Sequence, residues 1–175
     1  MRIPIDSSTS YRGRNSRPNW LVLLAFIGAN LAAAGAGALL SPAGSPSAAR
    51  WYAMLAKPGW APPNSWFAPV WTVLYVLIGI AAWLIWQERY HRRRASALVA
   101  YAFQFLLNAL WAPAFFGAKS IGAGLFLIVA LWLSIIWAVR EFAVVKPGAA
   151  WLLAPHLIWV TFAGAWNFAF WKLNQ

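Results

Sequence analysis

Apolar residues run along this chain in long blocks, and the polar positions gather in the stretches between them. A membrane-spanning helix takes about 20 mostly apolar residues. Five blocks are long enough, at 20–40, 67–86, 95–117, 120–139 and 148–171. The pattern therefore predicts an all-α integral membrane protein, a five-transmembrane-helix bundle. Three of the connections are short: QERYHRRR at 87–94, GAKS at 117–120 and REFAVVKPG at 140–148. The fourth, 41–66, is long and rich in Pro, Gly and Trp. A connection of that length is either a functional cover or disordered, and its aromatic content argues for a structured lid between the first two helices. Residues 1–19, rich in Ser and Arg, read as a disordered basic arm, which leaves 20–175 as the membrane domain.

Helical spacing sorts the residues inside the blocks. Trp71, Tyr75, Ile78 and Ala82 share one face of the second block; Tyr101, Gln104, Asn108, Trp111 and Phe115 share one face of the third; Trp159, Ala163, Trp166 and Asn167 share one of the fifth. An amide is costly against lipid, so Gln104 and Asn108 are expected to face inward, either tying helices together or lining a cavity. Three stripes of flat π-surface with sparse hydrogen-bond donors, beneath an aromatic lid, suit a large planar ligand. On the lid, Arg50 and Lys57 are either partners for a ligand's carboxylates or simple interfacial cations. Pro58, Pro62 and Pro63 stiffen the lid, and Pro69 falls in the first turn of the second helix. Gly28, Ala32 and Ala36 form a line of small residues that lets a neighbouring helix approach closely, within the chain or in a second copy. Trp20, Trp86, Trp137, Trp151 and Trp171 read as interfacial anchors.

Composition narrows the chemistry. With 62% hydrophobic and 10% charged residues, the chain cannot hide its apolar surface in a soluble core. It has no cysteine, two histidines and three acids, which leaves no material for disulfides, thiolate metal sites or paired-carboxylate catalysis. No catalytic or metal-ligating residue is assigned. A net charge of +11 would fit nucleic acid, but most basic residues flank the apolar blocks, where membrane retention explains them. Ten of them lie on the side of the N-terminus and of 87–94 and 140–148, and four (Arg50, Lys57, Lys119, Lys172) on the other. This predicts a cytoplasmic N-terminus, with the lid and C-terminus periplasmic if the membrane is a bacterial inner membrane.

Four motifs carry a resemblance over residues 20–174: WYAMLAKPGWAPP (51–63), FAPVWTVLY (67–75), QFLLNALWAPAFFG (104–117) and APHLIWVTFAGAWN (154–167). Together they resemble the tryptophan-rich sensory protein and translocator protein family (TspO/MBR, the peripheral-type benzodiazepine receptor family). The resemblance implies a five-helix bundle, often a homodimer. Its first loop would fold over a pocket for porphyrins such as protoporphyrin IX or haem and, in many members, benzodiazepine-type drugs. Carried over by motif, the pocket is Trp51, Tyr52, Trp71, Tyr75, Asn108, Trp111, Trp159 and Ala163; Gln104 joins it from the stripe on the third block. Three features depart from the family pattern. His156 stands where the fifth-helix motif usually has tyrosine, Trp166 stands in place of a leucine, and WNFAFWK (166–172) lacks the tyrosine that animal members place before a basic residue. That departure removes the family's ground for expecting sterol binding at that end and leaves it open. His156 is read as a helix–helix hydrogen-bonding residue rather than an axial ligand to haem iron.

Three functions remain in view: a porphyrin-binding sensor in porphyrin homeostasis or the response to oxygen and stress, a light-dependent protoporphyrin-degrading enzyme, and a porphyrin transporter. The enzyme would have to rely on photochemistry of the bound pigment. A coupled pump lacks both an intramembrane carboxylate and a nucleotide motif. Binding is common to all three.

Overall fold

In the computed structural model the described residues are 19–175, so the basic arm expected over 1–19 lies outside them except for Asn19. Asn19 caps α1 (Trp20–Leu40), its side chain accepting from the Val22 N–H. The lid contains a helix, α2 (Pro46–Met54), started by the Ser45 hydroxyl accepting from the Ala48 N–H and by Pro46 in its first turn. A 3₁₀ turn at Asn64–Trp66 leads into α3 (Phe67–Gln87). Next comes α4 (Arg94–Ala112), continued by a π-helical turn at Pro113–Gly117, where the Ala118 N–H reaches back to the Pro113 carbonyl at 2.8 Å. Lys119, at φ 52°, takes the left-handed conformation that reverses the chain, and Ser120 caps α5 (Ile121–Val145). The last span is broken into α6 (Pro147–Trp151) and α7 (Ala154–Leu173).

All five spans are long and apolar enough to cross a membrane. Two boundaries differ from the sequence pattern. The fourth span runs to Val145 rather than ending at 139: Arg140 and Glu141 are helical, Glu141 pairs with Arg93 at 3.6 Å, and Phe142 is fully buried. The fifth starts at Pro147 and bends before α7 begins.

The helices form a ring in the order α1, α3, α7, α5, α4. At Gly79 a Cβ would stand 3.0 Å from the backbone of Ile27, so glycine is what lets α3 come this close to α1. Asn30, the one buried residue of α1, donates to the Phe26 carbonyl at 2.8 Å and to the Tyr101 hydroxyl at 2.9 Å. Tyr101 is thereby committed to holding α4 against α1. Gly28, Ala32 and Ala36 are exposed, with nothing within 4 Å of a Cβ at Gly28. The small-residue line faces out of the bundle, which overturns its reading as internal packing.

Candidate ligand site: an aromatic ladder beneath the lid

The lid reaches the bundle through Trp51 and Tyr52 of α2. Tyr52 is buried, its ring 5.9 Å from Phe116 and 5.7 Å from Phe170, with Lys57 Nζ 4.5 Å above it. Burial pushes its phenol up to about 12. Trp51 meets Phe115 edge-on at 5.5 Å, and farther along the lid Trp60 meets Phe162 at 5.9 Å. Pro58 is buried, whereas Arg50 points to the exterior.

Under the lid, α3 and α7 interlock by rings. Trp71 stacks on Tyr75 at 5.4 Å and presents an edge to Trp159 at 6.4 Å and to His156 at 6.1 Å. Phe67, one turn earlier on α3, stacks on Trp166 at 5.0 Å and lies 5.9 Å from Trp159. Trp166 touches Phe170, Phe170 touches both Tyr52 and Phe115, and Phe115 stacks on Trp111 at 5.0 Å. The six expected aromatic site residues therefore belong to one continuous ladder. Trp51 is joined to Trp71 and Trp159 through the rings of Phe115, Phe170, Trp166 and Phe67, so the lid indole does not meet the other two directly, whereas Trp71 and Trp159 touch each other. The sequence reading missed Phe67 and Phe170, although helical spacing gave the signal: Phe67 extends the Trp71 and Tyr75 stripe by four residues, and Phe170 extends that of Trp166.

Polar atoms line the same interior. Gln104, Asn108 and Asn167 are buried, as is the small Ala163. Both amide atoms of Gln104 and of Asn167, and the indole N–H groups of Trp111, Trp159 and Trp166, have no hydrogen-bond partner among the described residues. Gly124 makes room here, since a Cβ would stand 2.5 Å from the Phe115 ring and 3.1 Å from Asn167 Nδ2. His156 is fully buried, and neither of its nitrogens finds a partner among the described residues. The expected helix–helix hydrogen bond is not formed among the described residues; the Trp71 ring lies 6.1 Å from the imidazole. Unpaired polar groups at membrane depth are costly, so this interior combines apolar ring faces with donors and acceptors free for a guest. The two carboxylates of the described residues stand at the opposite end of the bundle, Glu88 on Lys146 at 2.8 Å and Glu141 on Arg93.

The sequence profile of the TspO/MBR family matches residues 19–172. The chain is 38% identical over 155 residues to the tryptophan-rich protein TspO of Chlorobaculum tepidum, covering 88% of this chain and 96% of that one. It is 38% identical to protein CrtK of Rhodobacter capsulatus, covering 88% and 94% of the two chains. To the translocator protein of Ovis aries it is 40% identical over 131 residues, 72% of this chain and 76% of the relative.

Proposed function

The chain belongs to the TspO/MBR family, and from that premise we propose that it is a membrane-embedded sensory or regulatory protein that binds a tetrapyrrole between the lid and α3, α4 and α7. The observation that carries this reading is the aromatic ladder, a continuous run of rings from the lid, α3, α4 and α7 packed on one another, together with the unpaired indole and amide groups beside it. Protoporphyrin and haem present an apolar plane with two carboxylates on one edge. In this reading the plane lies against Trp71, Trp111 and Trp159, Asn108 and Gln104 supply hydrogen bonds, and Tyr75 and Ala163 shape the wall. The carboxylates point to the lid, where Lys57, over the Tyr52 ring, supplies positive charge and Arg50 would join it only by swinging in from the exterior. The names borne by relatives, tryptophan-rich sensory protein and translocator protein, support a sensory or regulatory role. The same site would admit benzodiazepine-type ligands. A second copy would seat on the outward small-residue line of α1.

Tryptophan fluorescence quenching by protoporphyrin tests the site. Trp71→Ala removes one stacking face and is expected to weaken binding by about 5- to 150-fold, the range of one aromatic stacking contact of roughly 1–3 kcal/mol. Ala163→Phe fills the small position and blocks binding. Trp20→Phe, at the far end of the bundle where Trp20 stacks on Trp83, leaves binding unchanged. If folded Trp71→Ala and Ala163→Phe proteins both bind like wild type, the tetrapyrrole does not sit here. Repeating the titration under illumination separates sensing from degradation: a stable bound spectrum fits a sensor, and bleaching into a new bound pigment fits the enzyme.

A further inference from the structure

Among the described residues, one polar side chain beyond the lid fastens it to the bundle. Asn174, at the outer end of α7, accepts from the Ala56 N–H at 2.9 Å and donates to the Ala56 carbonyl at 3.0 Å. Its Nδ2 also donates to the Phe170 carbonyl at 2.8 Å, which fixes the amide plane on its own helix. A single side chain thus satisfies both main-chain groups of one lid residue, in a stretch with no secondary structure to satisfy them. The other lid contacts described above are ring packing by Trp51, Tyr52 and Trp60. Beside this clasp lies an open groove of about 600 Å³, bounded by Trp51, Leu55, Lys119, Ile121, Trp171 and Asn174. Trp51 is shared: it lines the groove and meets Phe115 of the ladder. One indole therefore separates groove from ladder, and it stands on the helix whose trailing end Asn174 holds.

We propose that Asn174 is a positioning residue, a clasp that holds the lid over the ladder and sets how often the groove opens inward to pass a planar, carboxylate-bearing ligand. The proposal rests on the tetrapyrrole-binding reading of the ladder and adds the control of its access. The clasp is made wholly of protein atoms, so it is the same whether the chamber is empty or filled. Releasing it raises the open fraction in both states by one factor, so the association and dissociation rates rise together and the affinity stays fixed. A residue that touched the ligand would change the affinity, and one that only supported the fold would change the melting temperature without this matched pair of rates.

Stopped-flow quenching by protoporphyrin on the full chain in lipid nanodiscs reads both rates, and hydrogen exchange read by mass spectrometry reports the Ala56 N–H. For Asn174→Ala we expect both rates to rise about tenfold, the scale of two solvent-edged hydrogen bonds, with Kd within a factor of two of wild type and Ala56 exchanging about tenfold faster. Asn174→Asp keeps the acceptor and loses the donor, and is expected to fall between the two. Unchanged rates in both variants would overturn the proposal, as would a weaker Kd with an unchanged association rate. If wild type fails to bind protoporphyrin, the tetrapyrrole reading falls, and exchange at Ala56 still decides the clasp: equal protection in wild type and Asn174→Ala rejects it.

Discussion

Tyr52 joins local chemistry to lid position. Its phenol is held by burial rather than by a charge partner, which moves the pKa from 10.0 to about 12. Because the buried site disfavours the phenolate, this contribution to lid docking is fully present below pH 10.0 and is lost as pH rises through about 12. The tyrosinate absorbance of wild type minus that of Tyr52→Phe should therefore show a component with its midpoint near 12; a midpoint near 10 would mean that the ring is not docked. The Phe variant, which keeps the ring and removes the ionisation, should stay closed across that window. At this scale much of the ladder was legible, because Trp71 and Tyr75, or Trp159, Ala163 and Trp166, repeat at helical spacing and spacing dictates a shared face. Which face meets which was not legible. Phe67 joins Trp159 and Trp166 only because α3 and α7 are adjacent, and that His156 packs beside the Trp71 ring with both nitrogens unpaired among the described residues follows from no spacing in the sequence.

Helices α1 and α3 show how a single atom sets the distance between elements. A side chain at Gly79 has to displace the backbone of Ile27, which cannot rotate away, whereas one at Gly28 enters open space. Gly79→Val should consequently separate the two helices, strain the Asn30–Tyr101 bond and destabilise the fold by about 1–3 kcal/mol, the usual range for overpacking. Gly28→Val should leave thermal stability nearly unchanged. Parallel melts of the two proteins in one detergent check this, and equal losses would refute the assignment of faces on α1. Element boundaries were legible where nothing competed with the apolar signal: 20–40 matches α1 end for end, because Asn19 and Ser41 terminate a block without charge. The end of α5 was hidden because Arg140 and Glu141 read as a loop, yet Glu141 has Arg93 across the α4–α5 interface and Phe142 anchors the next turn. Helix α2 was missed because nine residues carry too little periodicity, although Ser45 followed by Pro46 is a recognisable helix start.

For the whole molecule, the decisive asymmetry is between the two ends of the bundle. The lid, the groove and Lys119 stand at one end; Arg89, Arg92, Arg93, Arg140 and Lys146 crowd the other, where, among the described residues, Glu88 pairs with Lys146 and Glu141 with Arg93. Retention of basic residues depends on their number near the spans rather than on net charge, so these ion pairs do not weaken the bias. The crowded end should face the cytoplasm, and the groove beside the clasp should open to the opposite side, exposed to a ligand arriving from outside. The chain has no cysteine, so the test needs no background removed. In intact cells a Lys119→Cys protein should react with a membrane-impermeant maleimide, and an Arg92→Cys protein should react only after the membrane is opened. Both positions are exposed and lie in turns between spans, so burial cannot imitate the result. Labelling of Arg92→Cys alone in intact cells would invert the topology and place the lid, with the access route it controls, on the cytoplasmic side.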